Sequence, residues 1–556
     1  MIVTVARKGR VATASLRGKT RALAFQFSHH NLDTALLEKT PMKTPALCQT
    51  LLAIATCLLV ATPAVAKITR FEVSTTTPYG TFKNGDFVRI NGTVTGELPA
   101  ADPIPGLDRA AKNARGMVAY QAPFVLIVPK DKTAGNGALL IDVPNRGRAI
   151  THGLYNSPRE PVLPVGSWEA GNRFLQDHGF GVGMLQWELG QGITLPSFID
   201  DKGATRYAEG AGVAAIRDFA DFLRSAKQDD SGAVNPVAGR FDRTLVFGYS
   251  QTARVIKTML VEGLTQVDGR RVFDGMHINA SASGLANIMA TGTGPESGTF
   301  FTPRFTHPEF RGVTEEPLSY ADISARATAR GHALPKMLVT NMTTDYYSIR
   351  ASLARTGAQG VADLPIPAHV RIYDVAGGSH SRADKQSCDM PPGRLDFFPI
   401  MRATLLNLDA WVKAGTEPPP SRLMPLEPRP TQASLLQTPA HLSGAIVQAP
   451  KLDADGNALG GVRLPDMEAP LGTHGAQNLP LSSRPCNLDA AYIAFARTAA
   501  ERAAGDKRPA VTERYANKED YVARIREAAR KLVAQRLMSE ADALEAERAA
   551  QAVAAW

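Results

Sequence analysis

Two apolar runs restrict the possible folds of this 556-residue chain more than any other feature. They are Phe124–Val128 and Ala138–Val143. Neither shows the regular alternation of apolar and polar residues expected of a strand with one face in water. Near-continuous apolar strands are typical of a parallel sheet that is covered on both faces. The runs therefore predict a fold built around a buried sheet.

Further strands and helices alternate along the chain, which favours a wound α/β sheet. The other predicted strands are Ile68–Thr76, Phe87–Leu98, Gly179–Trp187, Leu245–Phe247, Met276–Ala280, Met337–Val339 and Val370–Tyr373. The predicted helices are Ser167–His178, Tyr207–Ala226, the segment after Thr252, Leu395–Ala414, Ala490–Ala504 and Glu519–Ala554.

The predicted organisation has three parts. Residues 1–66 form an upstream extension and a signal peptide. Residues 67–415 form the α/β core, including the N-terminal strands and a lid-like insertion at 282–333. Residues 416–556 form an extension, loop-rich and then helical, that packs on the core.

The N-terminal part has the pattern of a secretory signal. A basic start at Met42-Lys43 precedes the apolar run Leu51–Val60, and Ala64-Val65-Ala66 supplies the small residues that a signal peptidase accepts. We expect synthesis to start at Met42, cleavage after Ala66, and a periplasmic or secreted protein. A single membrane anchor is the alternative, although the run is short for a bilayer.

Charge gives no indication of a nucleic-acid partner. The chain has 62 Lys and Arg against 53 Asp and Glu, a net charge of +9, of which +6 lies in residues 1–66. The near-neutral remainder lacks the basic patch that binds nucleic acid.

Two cysteines, Cys388 and Cys486, remain after the predicted cleavage. In an oxidising compartment they predict one disulfide, with two unrelated buried thiols as the alternative. Neither has histidine or cysteine partners at metal-binding spacing, so we expect no metal site.

A junction centred on Ser250 carries the sharpest chemical signal. Gly248-Tyr249-Ser250-Gln251-Thr252 joins a predicted strand directly to a helix. A nucleophile elbow needs this geometry, because its tight turn lifts a serine hydroxyl above the sheet edge between small residues. Thr252 stands where the elbow usually has glycine. The junction predicts a nucleophilic serine, with an ordinary buried serine as the alternative.

A serine nucleophile needs a base and an acid that orients the base. With this elbow the chain order is serine, acid, histidine. Asp345 and His380 each follow a predicted strand in that order, and His380 comes after a flexible Gly377-Gly378 pair. Asp374 is the rival acid, but we expect it to end its strand facing the core.

The other histidines fit the role of base less well, because His332 and His369 precede strands and so lie at the opposite end of the sheet. The oxyanion hole should combine the backbone N–H of Gln251 with one from the loop after an earlier strand, where Arg146 or Gly147 can donate. Further candidates for pocket contacts are His152, Trp187, Glu188 and His474, although such residues more often belong to a core or surface.

The chain resembles a family of large secreted bacterial proteins known as α/β-hydrolase-domain proteins. The matching motifs are Asn145-Arg146-Gly147, Gly248–Thr252, Thr344-Asp345-Tyr346, Arg350–Leu353, Gly378-Ser379-His380, Asp409–Val412, Glu417–Arg422, Phe495–Thr498 and Glu513-Arg514-Tyr515. They extend over nearly all of the chain after the signal.

The resemblance implies an α/β-hydrolase fold and an esterase-like serine hydrolase whose acid is usually Glu, where this chain has Asp345. Two other positions differ from the family pattern. Tyr346-Tyr347 replaces Tyr-Trp, and His474–Asn478 replaces a Gly-Trp-Asn stretch. The family assigns no substrate.

Residues and resemblance together predict an exported hydrolase of a carboxylic ester or lactone that uses Ser250, His380 and Asp345. We expect a small-molecule substrate and no cofactor. A peptidase or acyltransferase with the same residues, or a catalytically silent binding protein, are the alternatives.

Overall fold

The computed structural model describes residues 67–286, 291–292, 316–381, 387–429 and 447–556. The predicted start at Met42, the signal peptide and its cleavage after Ala66 lie outside these residues, as does part of the predicted insertion 282–333. The described residues belong to one compact unit. The predicted division at residue 415 remains a prediction.

The described residues contain short and long strands, numbered here in chain order. They are β1 (Lys67–Phe82), β2 (Gly85–Pro99), β3 (Met117–Pro129), β4 (Ala138–Asp142), β5 (Gly181–Leu185), β6 (Ser197–Ile199), β7 (Thr205–Ala208), β8 (Arg243–Tyr249), β9 (Gln266–Val267), β10 (Arg270–Arg271), β11 (Gly275–Asn279), β12 (Thr291–Gly292), β13 (Lys336–Met342), β14 (Val370–Val375), β15 (Leu426–Arg429), β16 (Val447–Pro450), β17 (Gly472–His474) and β18 (Tyr492–Ala494).

The helices cover the sheet and its edges. They are α1 (Thr151–Tyr155), α2 (Phe174–Asp177), α3 (Gly210–Ser225), α4 (Gln251–Val261), α5 (Tyr320–Ala329), α6 (Thr343–Ser348), α7 (Phe398–Ala414), α8 (Pro465–Glu468), α9 (Arg484–Leu488), α10 (Val511–Arg514), α11 (Lys518–Ala534) and α12 (Glu540–Ala552), with 3₁₀ turns at Ala351–Ala354 and Ala499–Glu501.

Nine of the strands form one sheet in the order β1-β2-β3-β5-β4-β8-β11-β13-β14. The pairings from β1 to β5 are antiparallel, and those from β5 through β4 to β14 are parallel. The predicted wound and mostly parallel sheet is thus confirmed. Parallel strands end at a common edge, so the segments after β8, β13 and β14 meet there.

Strand β4 shows why its sequence is apolar throughout. Leu139 and Ile141 belong to one hydrophobic cluster with α3 and α4, whereas Leu140 belongs to a second cluster with α7. Both faces of the sheet are therefore covered, as the apolar runs predicted. Ala529 and Leu532 of α11 join the second cluster, so the C-terminal extension shares a core with the sheet.

Two predicted helices are wrong. Ser167–His178 contains only the single turn α2, and Ala490–Ala504 contains strand β18 and a 3₁₀ turn. Strand β18 pairs with β17, which lies about twenty residues earlier in the sequence, and such tertiary pairing overrides local helix propensity. The predicted disulfide between Cys388 and Cys486 is present. Among the described helices, none is both long and apolar enough to span a membrane.

Candidate active site

Ser250 occupies a sharp turn between β8 and α4. Its backbone has φ 56° and ψ −112°, a conformation that a non-glycine residue adopts only when its surroundings impose it. The Ser250 N–H donates to the carbonyl of Asn279 on β11 at 2.9 Å, which holds the turn against the sheet. The side chain is half-buried at the sheet edge.

Thr252 takes the place where an elbow usually has glycine, and the structure shows what it does there. Its hydroxyl accepts a hydrogen bond from the Tyr249 N–H at 3.0 Å and lies 3.3 Å from the Tyr249 carbonyl oxygen. The threonine is fully buried. The side chain therefore braces the turn on the strand side, so the departure from glycine is compatible with the elbow.

Asp345 lies in the first turn of α6, directly after β13, and is fully buried. Its Oδ2 accepts a hydrogen bond from the Met342 N–H at 2.7 Å. This bond satisfies a backbone donor at the start of the helix and fixes the carboxylate, which leaves Oδ1 to face the next loop.

His380 ends the loop after β14. Gly377 has φ 73° and its N–H donates to the Thr343 hydroxyl at 2.8 Å, while the Tyr249 hydroxyl donates to the His380 carbonyl at 2.6 Å. The loop is therefore fastened both to α6 and to the turn that carries Ser250. The His380 side chain is buried.

The three side chains form one hydrogen-bonded chain. His380 Nε2 lies 3.0 Å from Ser250 Oγ, and His380 Nδ1 lies 2.5 Å from Asp345 Oδ1. This arrangement allows an imidazole to accept the serine proton while a buried carboxylate holds the other ring nitrogen. The structure thus brings together the three residues that the sequence predicted.

Asp374, the rival acid, lies elsewhere. It is fully buried, and its Oδ2 accepts hydrogen bonds from Arg355 at 2.8 Å and from the Met424 N–H at 2.9 Å. Burial raises the pKa of Asp374, and the Arg355 guanidinium opposes that rise. The Asp374 carboxylate therefore binds partners within the core, as the sequence led us to expect.

The C-terminal extension also holds the loop of His380. The sequence did not predict these contacts. The Ser379 hydroxyl donates to Asp489 at 3.0 Å and accepts from the Ala490 N–H at 2.9 Å, and the Ser381 N–H donates to the Leu488 carbonyl at 3.1 Å. Burial raises the pKa of Asp489 to about 6. No local signal marks Asp489, because its partner lies 110 residues earlier.

The loop after β4 lies beside the Ser250 turn. The Asn145 side chain donates to the Tyr249 carbonyl at 3.1 Å, and the next two residues, Arg146 and Gly147, have φ of 53° and 77°. Gln251 begins α4, so its backbone N–H is one of the four that an α-helix leaves unpaired. These placements juxtapose the two elements from which the sequence predicted an oxyanion hole.

The four candidate pocket residues are all buried and have internal partners. His152 packs against the rings of Tyr79 and Trp168, and burial lowers its pKa to about 3. His474 packs against Tyr492, and burial lowers its pKa to about 4. Both histidines are therefore neutral and belong to the packing of the molecule.

Trp187 and Glu188 instead contact the loop after β4. The Trp187 indole donates to the Pro144 carbonyl at 3.0 Å, and Glu188 Oε1 accepts from the Gln251 side chain at 2.9 Å. Burial raises the pKa of Glu188, whereas the hydrogen bond from Gln251 and the charge and backbone N–H of Arg146 lower it. In the part of the chain that the structure describes, no three metal-ligating side chains are grouped to bind an ion.

The nine-stranded sheet, with its strand–turn–helix at Ser250, defines an α/β-hydrolase fold. The chain belongs to a family described as alpha/beta hydrolase domain (Abhydrolase_10), whose profile matches residues 183–548. The resemblance predicted from the motifs is therefore confirmed at the level of the family. The matched range includes Ser250, Asp345 and His380. No curated protein matches the chain.

Several solved structures are similar to the chain at low sequence identity. A CE15 glucuronoyl esterase from Teredinibacter turnerae is 14% identical, with 56% of this chain and 74% of that chain covered and a TM-score of 0.26. The rice cell wall degrading esterase LipA from Xanthomonas oryzae is 12% identical, with coverage of 55% and 90% and a TM-score of 0.27. S-formylglutathione hydrolase (FrmB) from Staphylococcus aureus is 13% identical, with coverage of 45% and 80% and a TM-score of 0.23.

Proposed function

We propose that this protein is an exported serine hydrolase that cleaves a carboxylic ester or lactone through an acyl-enzyme. The observation that carries the proposal is the chain of contacts from Ser250 Oγ through the two ring nitrogens of His380 to Asp345. A serine hydroxyl is a weak nucleophile at neutral pH, so it needs a base at this distance.

In the acylation half-reaction, Ser250 Oγ attacks the carbonyl carbon and gives its proton to His380 Nε2. Asp345 accepts the hydrogen bond from Nδ1–H and stabilises the imidazolium. His380 then passes the proton to the leaving alkoxide oxygen as the carbon–oxygen bond breaks. In a lactone this oxygen stays attached to the acyl chain.

In the deacylation half-reaction, His380 takes a proton from water, and the resulting hydroxide attacks the acyl carbonyl carbon. The proton returns to Ser250 Oγ as the acid leaves. The Gln251 N–H and one N–H from the loop of Arg146 and Gly147 stabilise the negative oxygen of each tetrahedral intermediate. These steps use only side chains, backbone donors and water.

Labelling of the full chain with a fluorophosphonate tests the nucleophile. We expect the wild type to be labelled, a Ser250→Ala variant to be unlabelled, and a Ser225→Ala variant, which changes an exposed serine on α3, to be labelled like the wild type. A well-folded wild type that does not react would overturn the proposal and favour a silent binding protein.

A substrate panel separates the rival reactions of the same three residues. Nitrophenyl esters of increasing acyl length and simple lactones should be hydrolysed, with activity lost in Ser250→Ala. Hydrolysis of peptides but not of esters would indicate a peptidase. Transfer of the acyl group to an added alcohol in preference to water would indicate an acyltransferase.

Export is supported by the signal-like N-terminus and by the Cys388–Cys486 disulfide, since such bonds persist in oxidising compartments. N-terminal sequencing of the protein expressed in a bacterial host tests it. We expect a periplasmic or extracellular product that begins at Lys67. A cytoplasmic product that keeps residues 1–66 would contradict export without affecting the hydrolase proposal.

A further inference from the structure

The loop after β4 is a tight turn in which Asn145 and Arg148 exchange two backbone hydrogen bonds, of 2.9 and 3.2 Å. Arg146 and Gly147 both have positive φ, and for arginine this conformation is strained. Glycine suits the second position, because L side chains rarely adopt the φ of 77° that Gly147 has. Contacts from outside the turn add to its own hydrogen bonds and offset the strain at Arg146.

Three consecutive residues, Gln186, Trp187 and Glu188, supply these contacts; we call them the 186–188 segment. The Gln186 side chain donates to the Gly147 carbonyl at 2.9 Å, and the Trp187 indole donates to the Pro144 carbonyl at 3.0 Å. The positive charge of Arg146 acts on the Glu188 carboxylate and opposes the rise in its pKa that burial causes. Gln186 and Trp187 thus hold two different peptide groups of the loop.

Glu188 also contacts the second half of the predicted oxyanion hole. Its Oε1 accepts a hydrogen bond from the Gln251 side chain at 2.9 Å, and Gln251 directly follows Ser250. Only 3% of Glu188 is exposed, although a glutamate is rarely this buried unless partners satisfy it. Glu188 therefore links the segment that holds the loop after β4 to the first residue of α4.

We propose that Glu188 is a positioning residue for the oxyanion hole, an inference that rests on the proposed function. By accepting the hydrogen bond from the Gln251 side chain, it ties the start of α4 to the segment whose other two residues hold the loop, and so fixes the spacing between the loop and α4. Glu188 itself does not touch the substrate.

The test compares Glu188→Ala, Glu188→Gln and the wild type for ester hydrolysis and for inhibition by an alkylboronic acid, whose adduct with Ser250 mimics the tetrahedral intermediate. Losing one oxyanion donor typically lowers kcat by about 10²- to 10³-fold. We expect Glu188→Ala to lower kcat by about 10²-fold, to leave KM within a few-fold, and to raise the inhibition constant in parallel.

Glu188→Gln should recover most of the activity, because its amide oxygen still accepts the hydrogen bond from the Gln251 side chain. Gln251→Met, which removes the side-chain contact but keeps the backbone N–H, should resemble Glu188→Ala and serves if that variant folds poorly. Asp218→Asn is the matched control. Asp218 is a buried carboxylate on α3 bound to Arg217 and Tyr120, and we expect its loss to leave kcat and the inhibition constant unchanged.

The pH profile of kcat/KM reports the base, so it should keep its acidic limb in Glu188→Ala if only oxyanion positioning is lost. An active wild type with a Glu188→Ala variant of equal kcat and equal boronate inhibition would overturn this inference alone. A wild type that neither hydrolyses esters nor is labelled by the fluorophosphonate would overturn the proposed function and this inference with it.

Discussion

Asp345, in the first turn of α6, faces His380, in the loop after β14, with 2.5 Å between Oδ1 and Nδ1. The second carboxylate oxygen is engaged by the Met342 N–H. Since both oxygens have partners and the group is fully buried, the carboxylate is fixed in one orientation. The position of Asp345 in the first turn of α6, directly after β13, lets an aspartate reach His380 where the resemblance implies the longer glutamate.

Asp345→Asn should keep the fold but lower kcat by about 10³- to 10⁴-fold, because an amide stabilises the wrong tautomer of the imidazole and no charge balances the imidazolium. Steady-state hydrolysis of the preferred ester measures this effect. Asp363→Asn, which changes a half-exposed acid bound to Arg355, is the control and should keep full activity. Equal activity of Asp345→Asn and wild type would remove Asp345 from the mechanism.

Gly248→Ala should displace Ser250 by separating strand β8 from helix α4. A Cβ at this position would lie 2.5 Å from the Thr252 carbonyl oxygen and 2.8 Å from the Ala253 nitrogen, both backbone atoms of α4. The strand and the helix must move apart, at a cost of about 1–3 kcal/mol, and Ser250 moves with them. We expect a lower Tm and a large loss of fluorophosphonate labelling.

Gly357→Ala is the matched control for that experiment, because the nearest atom to its Cβ is the Leu364 side chain at 3.6 Å. It should leave both Tm and labelling unchanged. If Gly248→Ala behaves like Gly357→Ala, the close contact between strand and helix does not determine the position of the serine.

The Cys388–Cys486 disulfide should support both stability and activity. It joins residues 98 apart, and in the chain-entropy model such a bond contributes up to about 4–5 kcal/mol. It also holds α9, whose Leu488 carbonyl accepts from the Ser381 N–H next to His380. We expect the Cys388→Ser/Cys486→Ser variant to have a lower Tm and a lower kcat.

Dithiothreitol provides the internal control for this prediction. It should lower the Tm of the wild type to that of the double serine variant and leave the variant itself unaffected. A double variant with unchanged Tm and unchanged kcat would show that the bond is dispensable for the loop of His380.

Asp142 should contribute more to the free energy of unfolding at acidic pH than at neutral pH. Burial raises its pKa from 3.8 to about 6, against hydrogen bonds from Ile150 and Thr151 that lower it. A raised carboxyl pKa means that the folded state binds the proton more tightly than the unfolded chain, so this contribution is full below about pH 4 and is lost as pH rises through about 6.

The measurement is the free energy of unfolding of the wild type and of Asp142→Asn from pH 4 to pH 7. The asparagine keeps an acceptor oxygen but does not titrate, so the difference, wild type minus variant, should fall by about 2 kcal/mol over this range. Asp489, whose pKa is also raised to about 6, is present in both proteins and cancels. A difference that is constant with pH would contradict the prediction.

The sequence predicted the elements whose signals are local. The apolar run before Ser250 and the small residues around it define the elbow without reference to the rest of the chain, and Asp345 and His380 could be found because each follows a buried strand. The predicted helix at Ser167–His178 was wrong because Trp168 packs on His152 and its carbonyl accepts from Tyr79, contacts that no local periodicity encodes.

The supporting residues could not be predicted for a related reason. Glu188 contacts Gln251 across 63 residues, and Asp489 contacts Ser379 across 110. Their residue types are common on surfaces, so only the packed structure separates them from solvated charges. The sequence offered Glu188 as one pocket candidate among four, and we propose instead that it positions the residue after Ser250.

The dependence of His380 on Asp489 and Leu488 has a consequence for the order in which the protein matures. A growing polypeptide contains Ser250, Asp345 and His380 long before it contains the residues that fasten the loop of His380. Hydrolytic competence is therefore expected to appear only after the chain has been synthesised as far as Asp489 and Cys486 has formed its disulfide with Cys388. Incomplete chains would carry the reactive groups without the means to align them.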